Sequence, residues 1–289
     1  MRAIFAVLRT TATPSLLAIA VGAALLCAPA GAAGAVSPLP TSDYSVRPAC
    51  AAPTPGQAGC LALELVPQTT AARAHTHPLG RTRSTPIANP NAREGAFGLR
   101  PQDLRSAYFP GSAPDAPSSE PQTIALVDAY HDLGAVADLE TYDKEFSLPP
   151  CTAEHECFRQ LNENGVTGSP PFPQSTAALN ARETTCKNRT IERKLREAAC
   201  NEVEEAEGWT LEISTDIETA HAVCQNCHII LLEANTAEYP DLETAENTAA
   251  GLGATEVSNS WGGKEQGSDS TAFEHPGTVI TASSGDDAG

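Results

Sequence analysis

The chain has 289 residues, enough for one large domain or two small ones, and sets 36 acidic against 18 basic side chains for a formal net charge of -18. Such a polyanion repels phosphate backbones and anionic lipid, which argues against nucleic acid or a membrane surface as a partner. The same carboxylate excess suits a protein that stays soluble in acid.

Residues 1–35 read as an export signal. Arg2 and Arg9 make a basic start, residues 16–28 an apolar run, and A-x-A sites end at Ala30, Ala32 and Ala35. The run is too short and too Pro/Gly-flanked for a spanning helix. A lipoprotein site at Cys27 is disfavoured by bulky Leu26 before it. The expectation is a secreted, extracellular protein with no membrane association once the signal is removed.

Eight cysteines follow the signal, as near neighbours: Cys50 with Cys60, Cys151 with Cys157, Cys186 with Cys200, and Cys224 with Cys227. An even count in a secreted chain favours disulfides. Sequence leaves the connectivity open; local pairing is expected because each pair brackets a loop or a short helix.

Residues 36–121 are rich in Pro, Ala, Thr and Ser and read as a propiece or N-terminal arm. One island, GLRPQDLRSAYFPG at 98–111, spaces Leu99, Leu104 and Tyr108 roughly as a helix, and GSAPDAPSSEPQ follows as a linker. His75 and His77 sit in the polar arm, where exposure is a simpler explanation than metal binding.

The domain is expected over 122–289. It opens with the strand TIALVDA at 123–129, then a helix over 133–146 and a charged insertion over 151–207. A helix over 209–222, the strand HIILLEA at 228–234, a helix opening at Pro240, and strands at 255–261 and 278–283 complete it. Apolar strands alternating with helices predict an α/β fold with a mostly parallel sheet covered on both faces. The insertion segment ERKLREAACNEVEEAE reads as a solvated helix face, and Asn188-Arg189-Thr190 is a glycosylation sequon relevant in a eukaryotic host. The pattern stops at Gly289 on a Gly-rich turn, so a truncated domain is expected.

Glu212 and Asp216 lie four apart, which points both carboxyls one way from a helix. Two such carboxyls repel, so one tends to keep its proton and can act as acid or base. Chance spacing in so acidic a chain is the competing explanation. Flanking Leu211, Ile213 and Ile217, with the strand that follows, favour a buried site. Asp128, ending the first strand, is a rival acid for a Ser-His-Asp triad. No Gly-rich turn follows His131 or His221, so Asp128 is kept as a structural or substrate-site acid and His221 as a packed histidine. Cys224-Gln225-Asn226-Cys227-His228 matches a haem-attachment pattern. Met1, the one methionine, leaves with the signal, and the motif runs into a strand, so a disulfide is the expected explanation. Zinc lacks a matching second pair. Ser258, Ser260 and Ser284 lack the surroundings of a nucleophile elbow.

The block E-I-S-x-D-I-E-x-A-H-A-V at 212–223, followed by an apolar strand ending in E-A, resembles the catalytic helix of the sedolisin (serine-carboxyl) peptidases. VSNSWG at 257–262 is similar to that family's substrate-lining strand, and ITASSGD at 280–286 to its oxyanion-hole strand and turn. These matches keep their order over 122–289. The resemblance implies a subtilisin-like three-layer fold with a seven-stranded sheet, here incomplete at the C-terminus. Glu212 would be the general base, Asp216 would polarise it, and protonated Asp286 would donate to the oxyanion. Ser258, Asn259, Ser260, Trp261 and Gly262 would line the substrate. The implied activity is acid endopeptidase action on unfolded protein through an acyl-enzyme. The family's nucleophile sits in a Gly-Thr-Ser turn that this sequence lacks, and its calcium loop lies later still. The expectation is therefore a truncated chain of a secreted peptidase, with Ca2+ bound only in the intact protein. The competing expectation is a non-catalytic peptide-binding pseudopeptidase.

Overall fold

The computed structural model describes residues 44–68, 100–109, 121–168, 176–264 and 270–284. The export signal and Asp286 lie outside these residues. Three short strands come first: β1 (Tyr44–Pro48), β2 (Gly59–Cys60) and β3 (Leu63–Pro67). β1 and β3 pair antiparallel, with Arg47 and Glu64 ion-paired across the ribbon at 2.7 Å. The patterned island forms α1 (Pro101–Tyr108), started by proline in its first turn and by Asp103 accepting from the Arg100 N–H at 3.0 Å.

The remaining elements largely alternate between strand and helix. They are β4 (Thr123–Ala129), α2 (Ala135–Phe146), β5 (Phe158–Asn162), α3 (Thr176–Lys187) and α4 (Arg193–Val223). Then come β6 (His228–Ala234), α5 (Tyr239–Gly251), β7 (Glu256–Asn259), β8 (Trp261–Gly262) and β9 (Val279–Ala282). β5, β6, β4, β7 and β9 form one sheet in that order, and each pairing is parallel. This is an α/β fold.

Alternation along the central strands sends side chains to both faces. On one face Val127, Leu232 and Val257 pack with Leu242, Ala245 and Ala249 of α5. On the other, Leu126, Ile229 and Leu231 pack with Leu139 of α2 and with Ile213 and Ile217 of α4. Burial on both faces is why β4 and β6 read as nearly unbroken apolar runs.

Several features differ from expectation: the strand expected at 255–261 is divided into β7 and β8, which lie in different sheets. The helix expected over 209–222 begins at Arg193, because the charged stretch before it has strong helix formers and no proline. The insertion also contributes β5, an edge strand whose Arg159 and Gln160 hide its period from a sequence reading.

All four near-neighbour disulfides form: Cys50–Cys60, Cys151–Cys157, Cys186–Cys200 and Cys224–Cys227. The third ties α3 to α4, and the fourth pins the turn from α4 into β6. Among the described residues no helix is long and apolar enough to cross a membrane.

Leu231 is fully buried between the sheet and its helices. Leu231→Ala should lower the unfolding free energy by about 2–5 kcal/mol, measured by urea denaturation. A loss within about 0.5 kcal/mol would place Leu231 outside the core.

Candidate active site

The site forms where the parallel strands end. Ile213 and Ile217 dock α4 onto the sheet, which fixes the rotation of that helix. Glu212 and Asp216, one residue before each isoleucine, are thereby held beside the end of β4. Asp128 closes β4 on this same face, since it alternates with buried Leu126.

Asp128 is fully buried, and neither carboxyl oxygen has a hydrogen-bond partner. Burial first, then the charges of Asp216, Glu212 and Glu233, push its pKa well above the usual carboxylate range. Asp216 accepts a hydrogen bond from the Ser260 hydroxyl at 2.8 Å. Burial raises Asp216 to about 6 even though that hydrogen bond pulls the other way. Glu212 is buried as well. A low-dielectric pocket of carboxyls whose charges repel binds protons at a pH where exposed carboxylates have lost them.

Next to Asp128 the register places Glu233 on β6. Glu233 is just as buried but fully served. It accepts from the Asp132 N–H at 2.9 Å and from the Gln160 amide at 2.7 Å, and pairs with His131 Nδ1 at 2.6 Å. Burial alone would lower His131, but the hydrogen bond and charge of Glu233 outweigh it and the net shift is upward. The adjacent Tyr130 holds a left-handed φ of 67°, which a bulky residue rarely adopts. Its ring stands edge-on to Trp209, and its hydroxyl donates to Glu205 at 2.7 Å. These contacts carry the chain off β4 at the angle that delivers His131 and Asp132. The Glu233 network leaves one trace in the sequence, a glutamate near the end of an otherwise apolar strand.

The expected substrate-lining residues divide. Ser260 reaches the acid site through Asp216, and the Trp261 indole donates to the Val127 carbonyl at 2.9 Å, clamping β8 over the end of β4. Gly262 pairs with β2. Ser258 sits within the ladder between Leu126 and Thr281. Asn259 is buried and donates to the Thr281 carbonyl at 3.1 Å. It interacts with Glu246 of α5, so its side chain serves the opposite face. Asp286 lies outside the described residues, and so does its role.

Among the described residues the group of metal-ligating side chains that converges is Cys151, Cys157 and His221, and its two sulfurs are joined as a disulfide. Asp128, Glu212 and Asp216 do not converge as ligands of one ion, and no set of carboxylates fitting calcium occurs among the described residues. The Cys224 and Cys227 thiols a haem would need are joined to each other. His221 is fully buried and donates from Nε2 to the Pro149 carbonyl at 2.9 Å, as a packed histidine does.

Comparison with protein-family models, with curated proteins and with solved structures returned no match. The functional assignment therefore rests on residues and geometry.

Beyond the site, burial also raises Asp132 and Glu246, each to about 7. Like Asp216, these groups bind protons more tightly folded than unfolded, so stability declines as pH rises. The chain should be most stable near about pH 4 and lose on the order of a few kcal/mol by about pH 8. Urea midpoints across that range check this. A midpoint that rises with pH would mean the buried carboxyls are ionised in the fold.

Proposed function

We propose that residues 122–289 carry the acid half of a serine-carboxyl endopeptidase site, of sedolisin type, on a subtilisin-like α/β domain of a secreted protein. The carrying observation is that buried Asp128 lies within electrostatic reach of buried Glu212 and half-buried Asp216, with Ser260 hydrogen-bonded to Asp216. In this reading Glu212 receives the proton of a serine nucleophile, and Asp216 orients and polarises Glu212. Protonated Asp286 stabilises the oxyanion. A carboxyl replaces imidazole as base only where its environment resists ionisation, and a carboxylic acid donates to an oxyanion only while neutral. Both conditions point to work at acidic pH. Four disulfides suit an extracellular protein with unfolded protein as substrate.

The nucleophile has no Gly-Thr-Ser turn in this sequence, so catalysis requires a serine from outside it. A second reading has one observation in its favour: β8 already pairs antiparallel with another strand, as a peptide-binding groove would. That reading is a non-catalytic secreted peptide-binding pseudopeptidase.

The test is expression of the protein with whatever its reading frame adds, and an assay on denatured casein under acid. Glu212→Gln should lower kcat at least about a hundredfold with folding and secretion intact. Undiminished turnover would remove Glu212 from the mechanism. Tight casein binding with no turnover in the wild type would select the pseudopeptidase.

A further inference from the structure

The end of β7 is held from both faces of the sheet. Along this strand Val257 and Asn259 are buried and Glu256 and Ser258 less so, so alternate residues point to alternate faces. Val257 packs on the face covered by α5, and Asn259 turns the same way, to Glu246 of that helix. Ser260 turns the other way and donates to Asp216 of α4 at 2.8 Å. Two adjacent residues thereby join a carboxyl on one face to a carboxyl on the other.

Glu246 sits where an apolar side chain is expected. It lies one turn after Leu242, next to Ala245 and one turn before Ala249, and like them it is fully buried. Neither of its carboxyl oxygens meets a donor at hydrogen-bond distance. Asn259 has the matching deficit. Its Nδ2 donates to the Thr281 carbonyl at 3.1 Å, which fixes the orientation of the amide, and its buried Oδ1 has no partner. Two groups short of a donor thus lie as neighbours in the core, where such a lack is costly.

One proton settles both. Protonated Glu246 can donate to Asn259 Oδ1 while Nδ2 stays on Thr281. Ionised Glu246 offers only acceptors; it draws the amide nitrogen toward itself, a pull that opposes burial, and leaves Oδ1 unserved. Burial is the larger influence and raises Glu246 to about 7. The strands packed on α5 carry Asp128 on β4, His228 and Glu233 on β6, and Glu256 on β7, and none of these acts on Glu246. Nor do Tyr239, Asp241 and Glu243 of α5 itself. The polar neighbour that answers to its charge is Asn259.

We propose that Glu246 is a positioning residue for the acid site: as a neutral acid it donates to Asn259, and this fixes the strand end from which Ser260 holds Asp216. This role rests on the reading of Glu212 and Asp216 as the catalytic acids. The segment is tied on both sides, so a change at Asn259 is not absorbed locally. The Ser283 N–H donates to the Asn259 carbonyl at 3.0 Å, and the Trp261 indole donates to the Val127 carbonyl at 2.9 Å. Without a donor at Glu246 the Asn259 amide turns, and Ser260, the next residue, loses its aim at Asp216. The Ser260 hydroxyl lowers the pKa of Asp216, so its loss lets Asp216 rise.

The test is a carbon-13 titration of the Asp216 carboxyl in the full, oxidised chain, comparing wild type with Glu246→Gln, Glu246→Leu and Ser260→Ala. Glutamine keeps a donor for Asn259 Oδ1 at every pH, whereas leucine fills the space and supplies none. Glu246→Leu should raise the Asp216 midpoint by on the order of one pH unit. Ser260→Ala should raise it equally, and the two changes together should raise it no further. Glu246→Gln should leave it at the wild-type value of about 6. An unmoved midpoint in Glu246→Leu, or equal shifts in the leucine and glutamine variants, would overturn the proposal. Should Glu246→Leu fail to fold, the wild type decides. Its Glu246 carboxyl should titrate near about 7, with the Asn259 side-chain amide signals moving at the same midpoint. A Glu246 midpoint near the usual ~4.3, or amide signals that ignore it, contradicts the role. Every readout is a titration, so absence of peptidase turnover would sink the catalytic reading and leave this coupling standing.

Discussion

The docking of Ile213 and Ile217 onto the sheet governs the chemistry of this molecule. Two isoleucines one turn apart, both fully buried, leave α4 a single rotation against β4 and β6. That rotation presses Glu212 and Asp216 toward Asp128, an arrangement no set of carboxyls adopts by preference in water. Apolar burial, at about 1.5–3 kcal/mol for each large aliphatic side chain, stabilises the fold enough to carry this electrostatic opposition. Burial and the neighbouring carboxyls together raise the pKa of Asp128, and burial raises that of Asp216, so this opposition favours the protonated forms.

Neighbouring carboxyls in one sheet end thus serve opposite ends. Glu233 is saturated with donors and fixes the loop after β4; Asp128, paired with it in register, has none, and burial pushes its pKa upward. The contrast lies in hydrogen bonding, with burial the same for both. The Cys50–Cys60 disulfide adds a further layer, since Cys50 Sγ and the Ala49 carbonyl lie against Gly208 on the very helix that presents the acids.

Much of this was legible in the sequence where the physics is local. TIALVDA and HIILLEA have to be buried strands, and both form with the expected bounds. The cysteine pairs closed as near neighbours because each brackets a short excursion. The spacing of Glu212 and Asp216 announced a shared helix face. What escaped notice depends on partners far along the chain. β5 is a strand because β6 offers it an edge, and its own residues look like loop. β2 exists only against β8, about two hundred residues away. The burial of Asp128 follows from the packing of α4 and leaves no mark in LVDAYHD.

The most direct measurement is a carbon-13 NMR titration of the aspartate carboxyl groups in the full, oxidised chain, with Asp128→Asn and Asp216→Asn assigning the signals. Asp128 should keep its proton throughout the range in which ordinary aspartates ionise, and Asp216 should titrate near about 6. Ordinary midpoints for both, near about 4, would show that the pocket ionises freely and would contradict its role as a proton-holding site.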